Sequence, residues 1–210
     1  MRLTRRFVSA LLLAAATAAA ALAQGGQSTD TRLPPIAPPS LPQVTYEDLL
    51  DGLEHPSRWL TYSGDYTGRR HSPLTQITPE NVHRLVPQWT FQAEGMTIGR
   101  GFESTPLVLD GVMYLTGNGN YAWAVDMRTG RQIWRYSHPQ SQAFNIGHRG
   151  VAVRGDLVYL TTRDARLIAL DARTGTVRWN VEIADWRRGY WCTNAPMIIR
   201  DHVIVGVSGD

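Results

Sequence analysis

Three pairs of polar residues, each directly before a short apolar run, recur at a spacing of 45 residues: Glu103-Ser104, His148-Arg149 and Thr193-Asn194. Equivalent positions of a structural repeat occupy equivalent places in the fold, so we expect Glu103, Arg149 and Thr193 to meet on one rim. A carboxylate, a forked guanidinium and a hydroxyl together suit a planar, polar, anionic ligand, because arginine can bind carboxylates through two parallel hydrogen bonds. The alternative is a set of solvated rim residues without a ligand.

The spacing belongs to an internal repeat. Residues 124–134 and 169–179 share the pattern A-x-D-x-R-T-G-x-x-x-W, and a degenerate third copy ends at Trp89. Short apolar runs between glycine and aspartate turns indicate strands, and four strands in about 45 residues make one propeller blade. The predicted fold class is therefore all-β, a β-propeller. Each repeat tryptophan is expected to pack between adjacent blades with its N–H bonded to a carbonyl, whereas ordinary core filling is the alternative.

The chain opens with features of an exported protein. Residues 1–23 combine three arginines, an apolar stretch and small residues at the end, which predicts a signal peptide cleaved before Gln24 and a periplasmic location. A transmembrane anchor is the alternative, although the apolar stretch is short and rich in alanine. Once the signal peptide is removed, we expect no stable membrane insertion.

Two further regions follow the predicted signal peptide. Residues 24–44 form a proline-rich linker, a composition that favours extended chain. Residues 45–210 are predicted to form the propeller, and this region begins with a short helix that starts at Thr45 and runs to about Leu53.

Composition excludes some classes of function. The chain has 21 basic and 18 acidic residues, and every basic residue is an arginine. Three of the arginines lie in the predicted signal peptide, so the remaining residues are balanced and no nucleic-acid partner is expected. Cys192 is the only cysteine, which rules out an internal disulfide and the cysteine-rich metal and haem motifs within these residues.

Four segments together resemble the PQQ-dependent alcohol dehydrogenases, eight-bladed quinoproteins that include methanol and ethanol dehydrogenases: residues 101–114, 149–153, 164–171 and 193–209. The tryptophan repeat resembles the tryptophan-docking motif of that family. The resemblance implies that the residues binding pyrroloquinoline quinone (PQQ) are Glu103, Arg149, Thr193, Ser208, Gly209 and the adjoining Asp210. The family usually carries a small residue and then a glutamate metal ligand after Ser-Gly, so whether Asp210 contacts cofactor or metal stays open.

The same resemblance implies a reaction and its partners. The family oxidises alcohols, or related sugars and aldehydes, by hydride transfer to PQQ activated by Ca²⁺ or a lanthanide, and passes electrons to a cytochrome c. The family's catalytic aspartate and most metal ligands belong to later blades, so no catalytic residue is assigned here. The chain has room for about the first three to four blades. It is therefore expected to be an N-terminal fragment that is inactive alone.

One departure from the family concerns the residues before Arg149. Methanol and ethanol dehydrogenases carry two adjacent cysteines there, whereas this chain has Ala143-Phe144. The replacement indicates a divergent branch and weakens the assignment to methanol in particular. The alternative function is a non-catalytic propeller that acts as a scaffold in outer-membrane protein assembly.

Overall fold

The structure, a computed structural model, describes residues 40–93, 102–139 and 147–209. The predicted signal peptide, most of the linker, the Ala143-Phe144 pair and Asp210 lie outside the described residues. Among the described residues, no helix is long and apolar enough to cross a membrane.

Two four-stranded antiparallel sheets and a hairpin follow each other along the chain. The first blade is β1 (Leu107–Leu109), β2 (Val112–Gly117), β3 (Tyr121–Asp126) and β4 (Gln132–Ser137). The second blade is β5 (Ala152–Arg154), β6 (Leu157–Thr161), β7 (Arg166–Asp171) and β8 (Val177–Glu182). The hairpin pairs β9 (Met197–Ile199) with β10 (His202–Ile204). Both complete sheets have the strand order of a propeller blade, which confirms the predicted fold class.

The two blades share their irregularities as well as their strand order. In each blade the third and fourth strands pair with a β-bulge, between Ala124 and Val125 in the first and between Ala169 and Leu170 in the second. These positions are 45 residues apart, so the repeat extends to details of register.

An aspartate side chain closes the turn before each fourth strand. Oδ1 of Asp126 accepts the backbone N–H groups of Arg128 and Thr129, and Asp171 does the same one repeat later. Gly130 and Gly175 adopt φ of +69° and +71°, a conformation that costs glycine little. The same turn geometry thus connects β3 to β4 in the first blade and β7 to β8 in the second.

Repeat tryptophans join consecutive repeats. Nε1 of Trp134, in the first blade, donates to the carbonyl of Ala172 in the second at 2.9 Å, and its ring lies against Gly175. Trp89 makes the equivalent bond to the Met127 carbonyl, also at 2.9 Å, with its ring against Gly130. The expectation that each ring packs between repeats while its N–H reaches a carbonyl is confirmed for both.

A segment before the blades packs against their inner strands. The helix α1 (Tyr46–Leu50) begins with Thr45 and Asp48 bonded reciprocally in a capping box. The helix ends earlier than the predicted Leu53, because Asp51 leaves the helical conformation and Gly52 follows it. Beyond the helix, Trp59 forms a bridge with Val108 of β1.

Arg58 attaches this segment to the first blade through two carboxylates. Its guanidinium lies 2.8 Å from Asp48 and 3.0 Å from Asp110, and a second N–H also bonds Asp110. The pKa of Asp48 is lowered mainly by the backbone N–H of Thr45, with a smaller contribution from Arg58, whereas the pKa of Asp110 is lowered mainly by its hydrogen bonds from Arg58. The segment, both blades and the hairpin share one apolar core.

Candidate functional site

The structure brings together three residues that the repeat placed on one rim. Nη1 of Arg149 donates to Oγ1 of Thr193 at 2.9 Å, and Nη2 of Arg149 lies 3.4 Å from Oε2 of Glu103. We call Glu103, Arg149 and Thr193 the inner rim. The Arg149 and Glu103 side chains are 45% and 44% exposed, whereas Thr193 is buried. The two charged groups therefore keep surface that a ligand can reach.

Backbone hydrogen bonds hold the rim residues at their spacing. The N–H of Arg149 donates to the carbonyl of Thr193 at 2.9 Å, and the N–H of Thr105 donates to the carbonyl of Arg149 at 3.2 Å. Three successive repeats are thus joined before their first strands begin. The rim geometry consequently does not depend on the half-exposed ion pair, which is a weak constraint.

Gly147 leaves space for the Glu103 carboxylate. A Cβ at position 147 would lie 2.6 Å from Cδ and 2.7 Å from Oε1 of Glu103. Any larger residue would push the carboxylate away from Arg149. Sequence reasoning missed this residue, and the only available signal was a glycine directly before the His148-Arg149 pair.

Ser208 and Gly209 are placed by the loop that leads to Thr193. Ser208 and Trp191 exchange two backbone hydrogen bonds of 2.9 and 2.8 Å. Gly209 lies against the ring of Tyr190, where a Cβ would approach Cδ1 to 2.6 Å. Both residues are thereby tied to the strand segment that ends at the inner rim, although their predicted contact with a cofactor stays a prediction.

A cavity of about 320 Å³ adjoins the inner rim. Arg149 and Asn194 line one side, and the segment before the blades lines the other with Thr61, Asp65 and several apolar residues. Within the described part of the chain, Oγ1 of Thr61 is buried without a hydrogen-bond partner. The cavity is therefore lined largely by apolar residues, with the cation of Arg149 on one side and the carboxylate of Asp65 on the other.

These residues fit PQQ, a planar molecule with three carboxylates. Arg149 supplies N–H groups suited to a carboxylate, Thr193 a hydroxyl, and Glu103 an acceptor for a ring N–H. Over the described ranges, no group of three or more His, Cys, Asp or Glu side chains could hold a metal ion. Burial raises the pKa of Cys192 to about 11, which keeps the thiol protonated and unreactive.

Comparison with known proteins identifies the family. Residues 59–209 match the PQQ family model described as the glucose/ethanol/alcohol dehydrogenase β-propeller domain. The chain belongs to this family.

Relatives within the PQQ family agree in sequence and in structure. The chain is 39% identical over 170 residues to quinoprotein alcohol dehydrogenase PedH of Pseudomonas putida, covering 79% of this chain and 28% of that protein. It is 39% identical over 158 residues to 1-butanol dehydrogenase (cytochrome c) of Thauera butanivorans, covering 72% of this chain and 22% of that protein. The chain thus spans less than a third of the length of these relatives.

Two solved structures superpose on the chain. One is quinohemoprotein alcohol dehydrogenase ADHIIG from Pseudomonas putida, with a TM-score of 0.74 and 37% identity, covering 81% of this chain and 26% of that one. The other is a europium-containing methanol dehydrogenase, with a TM-score of 0.70 and 34% identity, covering 76% of this chain and 29% of that one. The chain therefore resembles both structures in sequence as well as in fold.

Proposed function

We propose that the protein is a PQQ-dependent dehydrogenase that oxidises an alcohol. The observation that carries the proposal is the inner rim, where Glu103, Arg149 and Thr193 meet within a propeller of the PQQ family. A scaffold propeller, the alternative from the sequence, has no need of a carboxylate, a guanidinium and a hydroxyl in contact at this place.

The inner-rim residues bind and orient the cofactor in this proposal. When PQQ is bound, the Arg149 guanidinium would pair with one of its carboxylates, the Thr193 hydroxyl would hold that guanidinium in position, and Glu103 would accept a hydrogen bond from the ring system. Bound PQQ, with a metal ion as Lewis acid, supplies the acceptor for the hydride of the alcohol. Ser208 and Gly209 add a hydroxyl and a backbone contact to a second carboxylate, and Asp210 adjoins them.

The metal, the electron acceptor and the location are further parts of the proposal. Ca²⁺ or a lanthanide fits the family, and one structural relative is a europium-containing enzyme. A cytochrome c acceptor is supported by one relative, the 1-butanol dehydrogenase (cytochrome c) of Thauera butanivorans. A periplasmic location is supported by the signal-peptide pattern of residues 1–23.

Reconstitution of the full-length protein with PQQ and Ca²⁺ or a lanthanide tests the proposal. We expect retained quinone absorbance and dye-linked alcohol oxidation, and Arg149→Ala should raise the Kd for PQQ about 100-fold by leaving a carboxylate unpaired. Arg178→Ala is the matched control, because Arg178 has a similar side-chain exposure of 51% but pairs with Asp156 and Asp171 away from the rim.

Two results would overturn the proposal. If the wild-type protein fails to retain PQQ, the proposed PQQ-dependent dehydrogenase activity is excluded. Equal affinity of the Arg149→Ala and Arg178→Ala variants places the cofactor elsewhere.

A further inference from the structure

His148 is a buried polar side chain directly beside Arg149. Its Nε2 lies 2.6 Å from the carbonyl of Thr161 in β6, and its Nδ1 lies 3.0 Å from Oγ1 of Thr116 in β2. The N–H of Gly150 donates to the same Nδ1 at 3.2 Å. The imidazole thus bonds both blades and the residue that follows Arg149, although only 3% of His148 is exposed.

These partners define the state of the imidazole. The Thr161 carbonyl can only accept a hydrogen bond, so Nε2 carries the proton. The Gly150 N–H can only donate, so Nδ1 is the unprotonated nitrogen. His148 is therefore the neutral tautomer with hydrogen on Nε2.

The bonds of His148 extend to the neighbours of the other two rim residues. The Thr116 hydroxyl also lies 3.2 Å from Oγ of Ser104, the residue after Glu103. The Thr161 hydroxyl, 3.3 Å from Nε2, donates to the carbonyl of Asn194 at 2.8 Å, and Asn194 follows Thr193. One imidazole consequently connects, directly or through one hydroxyl, the residues that follow all three inner-rim residues: Ser104, Gly150 and Asn194.

We propose that His148 is a positioning residue that sets the spacing of Glu103, Arg149 and Thr193 for an anionic quinone. This inference rests on the proposed function of the same site. His148 does not touch the ligand, and acts by fixing the peptide group that follows Arg149.

A positive charge on the His148 imidazole is expected to disrupt this arrangement. Burial is the main reason that the pKa of His148 is lowered to about 4; the bond to Thr161 opposes this shift, and the nearby positive charges of Arg149 and Arg163 contribute to it. Protonation would add a hydrogen to Nδ1 as well as to Nε2. The new N–H on Nδ1 would face the N–H of Gly150. The site should therefore hold its geometry at neutral pH and lose it as the pH falls towards 4.

Two substitutions separate the two nitrogens of His148. In His148→Asn the amide oxygen replaces Nδ1 and can still accept from Gly150, whereas in His148→Gln the amide nitrogen replaces Nε2 and only the Thr161 bond is kept. His138→Gln is the control, because His138 is also buried but bonds Asp164 and Tyr136 and not the rim.

The measurement is the Kd for PQQ of the full-length, folded variants, by equilibrium dialysis at pH 7 and pH 4. We expect a Kd within about threefold of wild type for His148→Asn and about tenfold higher for His148→Gln. His138→Gln should lower the Tm and leave the Kd unchanged. Between pH 7 and pH 4, the Kd of wild type should rise about twofold more than that of His148→Asn, because half of the imidazole is protonated at pH 4 whereas the titration of PQQ itself is common to both proteins.

The outcomes distinguish the inference from the function on which it rests. If wild type binds PQQ and His148→Gln binds equally well, the positioning role is wrong and the dehydrogenase proposal stands. If His148→Gln and His138→Gln lose affinity equally, His148 is only structural. If wild type binds no PQQ, both proposals fall.

Discussion

Two regions of the molecule, the inner rim and an outer joint between the two blades, are built by the same 45-residue repeat but serve different purposes. The outer joint consists of Trp134 and Tyr114 from the first blade and Ala172 and Gly175 from the second. Trp134 and Tyr114 are 6% and 0% exposed, and both donate to the Ala172 carbonyl. By contrast, Glu103 and Arg149 at the inner rim keep almost half of their side-chain surface exposed.

The contrast teaches where stability and binding capacity reside. Burying two large aromatic rings contributes several kcal/mol to the joint, whereas a half-exposed ion pair contributes little. The rim is held by backbone bonds and by His148 instead of by its own charged side chains. Those side chains are consequently available to a ligand without loss of the fold.

The largest expected effect is at the outer joint. Trp134→Ala should lower the free energy of unfolding by about 3–5 kcal/mol, because it empties the space between the blades. Trp134→Phe should cost only about 1 kcal/mol, since Tyr114 still donates to the Ala172 carbonyl. Urea denaturation followed by circular dichroism measures both. Equal costs for the two variants would mean that the ring contributes nothing beyond its N–H.

A smaller effect is expected where a glycine meets the tryptophan ring. Gly175→Ala should destabilise the protein by about 2–4 kcal/mol, because a Cβ there adds a clash with Trp134 to the strain of a positive φ. Gly155→Ala is the matched control: its φ of +62° is close to the +71° of Gly175, and its Cβ would meet no atom within 4 Å. It should cost about 1–2 kcal/mol, and a control that matched Gly175→Ala would show that ring contact is irrelevant.

The smallest effect on stability is expected at the inner rim. Glu103→Gln removes the ion pair with Arg149 and keeps the shape, so the free energy of unfolding should change by less than about 1 kcal/mol. The Kd for PQQ of the full-length variant should nevertheless rise severalfold, because an uncharged amide replaces the carboxylate that accepts a hydrogen bond from the ring system. A loss of stability as large as that of Trp134→Ala would contradict the division between joint and rim.

Sequence reasoning reached the fold and the inner rim because both follow from the 45-residue register. Equivalent tryptophans had to have equivalent partners, and Glu103, Arg149 and Thr193 had to lie on one rim. The contact of Gly147 with Glu103 could not be predicted, because nothing in the repeat pattern marks this glycine as a neighbour of the carboxylate. Sequence reasoning placed His148 beside Arg149 but could not identify Thr116 and Thr161 as partners of the imidazole, because the residue type does not specify them. The end of α1 was misplaced because apolar spacing continued past Gly52.

Backbone hydrogen bonds at the inner rim link Thr193 to Arg149 and Arg149 to Thr105. Each of these residues shortly precedes the first strand of its repeat. A force applied at one point is therefore shared by three consecutive repeats. In mechanical terms, a ligand that pulls on Arg149 also pulls on Thr105 and Thr193 at the same time. Strain at one repeat is therefore distributed to its neighbours.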